Sequence, residues 1–227
     1  MSKSRGNVIN PDEIVEVQGG DALRLYEMFM GPLDAVKPWQ TSQVAGVVRF
    51  QNKVYNLVQK YTTQEESDVA MDEATLKILH KTMKKVTNDI EILSFNTAIS
   101  ALMVLTNHLQ SSKNGIPKEA IEKLILMVSP FAPHLGEECW EMIGYEETLA
   151  YYPWVEYDEA LCVDDKVKIG VQINGKVRGQ IEIEKDADQD AAVSEAMLVE
   201  KVKSYVDGKD IKKIIYVPGR ILNIVAK

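Results

Sequence analysis

A chain of 227 residues, 45% hydrophobic and 26% charged with a formal net charge of −8, is long enough for one large or two smaller folded domains and too apolar for a disordered polymer. No apolar run approaches the roughly 20 residues of a membrane span, and none follows the first basic residues as a secretory signal requires, so a cytoplasmic protein is expected. The charge is unevenly divided: residues 1–165 hold 14 Lys and Arg against 25 Asp and Glu, and residues 166–227 hold 12 against 9, which points to two domains and makes the tail the better electrostatic partner for a polyanion.

The chain opens "MSKSRGNVINPDEIVEVQGGDALRLYEMF". Its first four residues alone carry no information, because polar termini are common. In "QTSQVAGVVRFQNKVYNLVQKYT", Val44, Val47, Val48, Gln51, Val54, Leu57, Val58 and Tyr61 recur at helical spacing, with Thr41 or Ser42 as the expected N-cap. A second amphipathic helix is expected from about Asp72, with Leu76, Leu79, Met83, Val86 and Ile90 inward and Lys77, Lys81, Lys84 and Lys85 on a solvated face. After a break near Ser94 and Phe95, Ile99, Leu102, Thr106 and Leu109 form the next stripe. Pro117 and Pro133 each suit the first turn of a further helix, one carrying Ile121, Leu124, Ile125 and Val128, the other stopping near Gly144. Consecutive helices with short connections imply an antiparallel bundle over residues 41–145.

From residue 166 the period changes to two. Val167, Ile169, Val171 and Ile173 share one face, and Val177, Ile181 and Ile183 share one face of the next run, with Asn174-Gly175 between. A two-residue loop alone would put these rows on opposite faces, so an odd-length loop, Asn174-Gly175 with a bulge, is expected, pairing Val171 with Val177 or Gly179. A helix over 189–206, closed by Gly208, and two strands around Pro218-Gly219 complete a small β-β-α-β-β unit. The acidic, aperiodic stretch 157–165 is the expected linker. The fold class is therefore mainly α with a small α+β domain.

No complete active site emerges from the residues. His80, His108 and His134 lack metal-ligand spacing, and Cys139 and Cys162 are too few for a disulfide framework or a four-cysteine zinc site, which leaves reduced structural thiols. "PHLGEE" places a histidine beside two carboxylates, a pairing capable of acid–base work, but packing or capping is the expected role on a helix bordered by Pro133 and Trp140. Trp39 and Trp140 are expected in the core.

Taken in order, these segments resemble the class I aminoacyl-tRNA synthetases. The opening is similar to the end of their catalytic domain, where Lys-Met-Ser-Lys-Ser precedes a Gly-Asn turn, here Gly6-Asn7, then Pro11, and Gly20-Asp21 with Arg24. "FNTAI" and "PFAPHLGEECW" followed by "YPW" resemble the helical tRNA-binding bundle of the leucine, isoleucine and valine group. "VQINGKVRGQIEI" and "KKIIYVPGRILNIVA" resemble the small C-terminal domain of the bacterial leucyl-type members. The resemblance implies residues 1–40 as the end of a catalytic domain, 41–156 as an anticodon-binding-like bundle, 157–165 as linker and 166–227 as a tRNA-binding tail. It further implies that the nucleotide-binding fold, the His-Ile-Gly-His motif and the editing domain lie outside this sequence, and that Met1 is the motif's own methionine.

By the same resemblance Lys3 meets the phosphates of ATP, with Mg2+, while leucine is activated in the intact enzyme, and Ser2, Ser4, Gly6 and Asn7 support that loop. The fragment itself would need no cofactor or metal and would be inactive. Its partner would be tRNA(Leu), contacted by Arg49 and Lys53 on the bundle and by Lys176, Arg178, Lys212, Lys213 and Arg220 in the tail, through shape and phosphates more than bases. Two alternatives are a free-standing RNA-binding or scaffolding module built on the same bundle, and a piece of an isoleucine- or valine-type enzyme.

Overall fold

The computed structural model describes residues 5–6, 8–65, 69–163 and 166–227; Met1, Ser2, Lys3, Ser4 and Asn7, and with them the loop roles expected of those residues, lie outside the described residues. The chain divides into two compact units, Met1–Cys162 and Val163–Lys227.

The first unit is helical. Asn10 caps α1 (Pro11–Gln18) by accepting from the Asp12 N–H, with Pro11 in the first turn where its missing donor costs nothing. Gly19, at φ 86°, turns the chain directly into α2 (Gly20–Phe29), a left-handed position that favours glycine. Ala22, Leu25 and Tyr26 of α2 are buried in the same core as the helices that follow. In helix α3 (Thr41–Thr63) Gln40, and not Thr41 or Ser42, occupies the N-cap position, with no side-chain cap bond, and the Thr41 hydroxyl accepts from the Trp39 indole N–H at 2.8 Å. Its buried stripe includes Phe50, while Val48, Gln51 and Tyr61 are only half-buried.

Asp72 accepts from the Thr75 N–H at 2.7 Å and starts α4 (Glu73–Glu91). That cap holds the Asp72 carboxyl below its ordinary range, the backbone hydrogen bond being the largest cause. Leu79, Met83 and Val86 are fully buried. The lysines of α4 are more than a solvated face: Lys84 pairs with Glu159, and Lys85 pairs with the buried Asp89, which also accepts from the Thr97 hydroxyl at 2.6 Å. Asp89 thus ties the end of α4 to the start of α5 (Phe95–Ser111) across Leu93, whose φ is 59°. Helices α6 (Lys118–Val128) and α7 (Pro133–Met142) close the bundle. Trp140 is buried and stacks on Tyr145 at 3.9 Å between centroids, whereas Trp39 is half-buried and meets Tyr26 edge-on at 4.6 Å. Residues 157–162, expected as linker, fold onto α4: the Asp158 N–H donates to His80 Nδ1 at 3.0 Å and a short 3-10 turn follows at Glu159–Cys162.

The second unit is a four-stranded sheet of order β2-β1-β4-β3, with β1 (Lys166–Ile173), β2 (Lys176–Glu184), β3 (Ile211–Val217) and β4 (Ile221–Ala226). Only β1 and β4 pair in parallel, which requires a crossover. The expected single helix is broken at Val199 (ψ 108°) into α8 (Gln189–Leu198) and α9 (Glu200–Val206). The break lets both pieces reach the sheet, Ala192 and Ala196 from α8 and Val202 and Val206 from α9 entering one core with Ile169, Val171, Ile181, Leu222 and Ile224. Among the described residues no helix is long and apolar enough to cross a membrane.

Close approach of α7 to the end of α6 rests on Gly136, where an added Cβ would lie 2.8 Å from Ser129 Cβ and 3.0 Å from its Cα. Because backbone blocks the space, Gly136→Ala should destabilise despite alanine's better helix propensity, by about 1–3 kcal/mol. The expected reading is a melting temperature lowered by roughly 3–10 °C in circular dichroism.

Candidate nucleic-acid interface

The hairpin that carries Lys176 and Arg178 is built around a parity problem. Asn174 (φ 50°) and Gly175 (φ 79°) form a two-residue turn, with Ile173 opposite Lys176 and Gln172 opposite Val177. This is the tight turn that left-handed φ values at Asn-Gly favour. The register then shifts so that Val171 faces Gly179, Ile169 faces Ile181 and Val167 faces Ile183. The expected bulge beside Asn174-Gly175 is present, and of the two expected partners of Val171 it is Gly179 that pairs; the turn has two residues and the extra residue of the bulge is Arg178. Val177, on the turn side of that bulge, does not share the face of Ile181 and Ile183 and is 61% exposed.

The turn is also fastened to the neighbouring strand. Asn174 Oδ1 accepts from the Ala226 N–H at 3.0 Å, Asn174 Nδ2 donates to the Ala226 carbonyl at 2.9 Å, and the Gly175 N–H donates to Asn223 Oδ1 at 3.1 Å. The side-chain amide thereby extends the β1–β4 ladder by one step. Lys176 is exposed beside this clamped turn, while Arg178 is half-buried with its guanidinium carbon 4.1 Å from the centroid of the Tyr205 ring.

The strand register says which basic residues come together. Lys213 pairs with Val225 and Ile211 with Ala226, so the start of β3 lies at the same end of the sheet as the Asn174-Gly175 turn. Lys176 and Arg178 sit on one edge strand there, Lys212 and Lys213 on the other, three strand spacings or about 14 Å apart. Lys212 leans on Asp210 at 3.2 Å. Arg220 precedes Ile221 and lies at the opposite end, roughly 20 Å away along β4. Tyr205 and Lys209 were not legible as site residues. Lys209 reaches the site end by donating from Nζ to the Tyr205 carbonyl at 2.9 Å.

On the helical unit, Arg49 and Lys53 are exposed one turn apart on α3, and Lys53 Nζ is held by Asn107 Oδ1 of α5 at 2.8 Å. Gly6 is exposed in a turn at φ 62°. "PHLGEE" resolves into ties. Buried Asp21 accepts from Arg24 Nη1 at 2.7 Å and from the Leu135 N–H at 2.9 Å, and bonds His134 Nδ1 at 2.9 Å, so α2 caps α7 from outside. Glu137 accepts from the Thr148 hydroxyl and, at 3.0 Å, from the Leu149 N–H, which hold its carboxyl below the ordinary range. His134 and Glu137 also line an open groove of about 900 Å³ with Glu138, Glu141, Glu146 and Glu147, a surface that repels phosphate. Thr75 binds His108 Nε2 at 2.9 Å. Among the described residues no group of three metal-ligating side chains occurs. Cys139 is buried and desolvation pushes its thiol up to about 12; Cys162 is half-buried and free.

Residues 72–193 match the family described as the anticodon-binding domain of tRNA ligase. The chain belongs to this family. Leucine–tRNA ligase of Sorangium cellulosum is 57% identical over 225 residues, and that of Chloroherpeton thalassium 47% over 230. These alignments take in 99% and 100% of the chain but only 26% and 28% of those proteins, so the chain spans about a quarter of their length. Among solved structures, the LeuRS of an Agrobacterium radiobacter ternary complex with tRNA and LeuAMS superposes over 100% of this chain and 31% of its own, with a TM-score of 0.72 and 28% identity. The family match is confined to residues 72–193, whereas the structural likeness extends over the whole chain, the mixed-sheet tail included.

Glu137 has a lowered folded-state pKa, so its contribution is fully present above the ordinary value of 4.5 and is lost as pH falls through the depressed one. Glu137→Gln should therefore melt below wild type at pH 7, with the difference shrinking below pH 4.5. Melting curves of both proteins across that range check it.

Proposed function

We propose that this chain is the tRNA-binding portion of a cytoplasmic leucine–tRNA ligase, an enzyme that activates leucine with ATP and Mg2+ and transfers it to tRNA(Leu). The observation that carries the reading is that identity to leucine–tRNA ligases, 46–57%, runs along 99–100% of the chain and is not confined to one segment. The tRNA in the neighbouring complex and the basic end of the sheet support an RNA backbone as ligand.

In this reading Lys176, Arg178, Lys212 and Lys213 neutralise phosphates at one end of the sheet, contacts that supply affinity and register without reading bases. Arg220 contacts the backbone separately at the far end. Arg49 and Lys53 support it on the bundle, where Asn107 has already fixed one of the two lysine and arginine side chains. Residues 1–40 close a catalytic domain, 41–156 are the bundle and 166–227 the tRNA-binding tail. ATP supplies the leaving pyrophosphate of leucine activation when bound to the whole enzyme. Lys3, with Ser2, Ser4, Gly6 and Asn7 about it, is assigned to that nucleotide.

Binding of a leucine tRNA transcript to the 227-residue chain, at fixed low salt, tests the proposal. Replacing Lys176 and Arg178 together by alanine should weaken binding roughly tenfold or more and flatten the salt dependence by about two charges. Equal affinity in the double variant would remove this end of the sheet from the site. The chain alone should give leucine-dependent pyrophosphate exchange no higher than background, since its described sheet is the four-stranded tail. Exchange above background would overturn that assignment.

A further inference from the structure

The bulge leaves Arg178 in an unusual electrostatic position. Its Nε is buried and has no hydrogen-bond partner among the described residues. Its guanidinium lies against the Tyr205 ring of α9 at 4.1 Å, and none of the ion pairs among the described residues involves it. A cation held partly out of water with no counter-charge is unfavourable, and the ring quadrupole offsets only part of that cost. Three lysines stand nearby, and the acidic residues at the ends of the same helix, Glu200 and Asp207, make no ion pair with Arg178 among the described residues. Lys176 stands two residues away, Lys201 one helical turn before Tyr205, and Lys209 bonds the Tyr205 carbonyl. The fold could have hidden this charge simply, by placing a neutral residue in the bulge.

We propose that Arg178 and Tyr205 form a preorganised phosphate-binding site, in which the ring holds the guanidinium plane so that its outer N–H groups present a fork to one phosphate of the bound nucleic acid. Tyr205 is the positioning residue. Stacking immobilises a side chain that otherwise loses rotamer freedom on binding, and the planar fork matches two phosphate oxygens where a lysine offers only a point charge. The bulge is part of the device. An added Cβ at Gly179 would point at α9, 2.9 Å from Val202 Cγ2, so the strand at Gly179 and the extra residue Arg178 both look onto that helix. Nothing in the sequence pattern connects Tyr205 with Arg178; only the register shift brings them together. This inference rests on the tRNA-binding reading above.

The test uses the 227-residue chain and a leucine tRNA transcript at fixed salt, with Tyr205→Leu, Tyr205→Phe, Arg178→Lys, Arg178→Ala and the double variant Tyr205→Leu/Arg178→Ala. Tyr205→Leu should weaken binding roughly three- to tenfold, and Tyr205→Phe should restore what is lost, because the face of the ring and not its hydroxyl is used. Arg178→Lys should fall with Arg178→Ala. The double variant should bind no more weakly than Arg178→Ala alone, since the two residues act as one unit. Loss in Arg178→Ala with no loss in Tyr205→Leu, or additive losses in the double variant, would overturn the positioning role and leave the tRNA-binding reading standing. Absence of any tRNA binding by the unaltered chain would instead remove the reading on which the site rests. Should Tyr205→Leu fail to fold, the Arg178 Nε–H signal in arginine-labelled wild-type protein decides. The ring should shift it upfield in the free chain, and tRNA should perturb it and slow its exchange; a signal unmoved by tRNA would overturn the site.

Discussion

Side chains along a strand alternate between faces, and a two-residue turn carries that alternation unbroken from one strand of a hairpin to the next. With Asn174 and Gly175 as the whole of the correction, Ile181 and Ile183 would point away from Ile169, Val171 and Ile173. Each isoleucine is worth about 1.5–3 kcal/mol when buried, so the wrong parity would forfeit on the order of 3–6 kcal/mol. A bulge forgoes one ladder hydrogen bond, about 1 kcal/mol net. The inserted residue is thus the cheaper solution, and its consequences spread outward. It sets Val177 in solvent, turns the bare face of Gly179 toward Val202, and lays Arg178 on Tyr205. The basic end of the sheet is arranged by a constraint that concerns apolar burial.

The helical unit obeys a different constraint, that every buried polar group be answered. Pro133 begins α7 without an N–H, and the Leu135 N–H of the same turn is answered by Asp21 more than a hundred residues earlier in the chain. The Gly20-Asp21 and Arg24 pattern has a physical meaning here: it is a cap supplied by α2 to α7, with Arg24 balancing the carboxylate. Asp89 does similar work between α4 and α5. Gln64 imitates a strand neighbour for Ile116, donating to its carbonyl at 3.0 Å and accepting from its N–H at 2.9 Å. Apolar stripes bring the helices together without choosing their rotation or sliding; these directional bonds choose.

That division explains what could be read in advance. The helices of the bundle are legible because a stripe such as Ile99, Leu102, Thr106 and Leu109 needs only local spacing, and all four are buried. Phe50 escaped the α3 stripe although it lies three residues beyond Val47 and four before Val54. The Asn174-Gly175 turn with a bulge was legible, but parity constrains only the sum of loop and bulge, so it left open whether Val171 pairs with Val177 or, as found, with Gly179. The break at Val199 carries no glycine or proline and follows from what α9 must reach. At the candidate interface, charge type marked Lys176, Arg178, Lys212 and Lys213, but their gathering at one sheet end, and the exclusion of Arg220 from it, depends on the parallel pairing of β1 with β4. Tyr205 had no signal, because its partner is set by a register shift 27 residues away in sequence.

Composition alone makes this chain a poor polyanion binder, but its charge is distributed unevenly, with a local positive excess in the tail. At physiological ionic strength exposed charges are screened beyond about 8 Å, so the glutamates lining the groove beside α7 oppose a phosphate only in their own neighbourhood. What a nucleic-acid backbone meets is the local set of charges. In the tail the pairs Lys166–Glu184 at 3.8 Å and Lys168–Glu182 at 3.7 Å neutralise each other far from the turn, leaving the excess of positive charge near Lys176, Arg178 and Lys213. Exposed pairs of that length add little stability. Their effect on the field is larger: they cancel charge along the length of the hairpin and leave it at the end. A net of three positive charges over 62 residues becomes directional because the hairpin register decides which lysines find a glutamate opposite them.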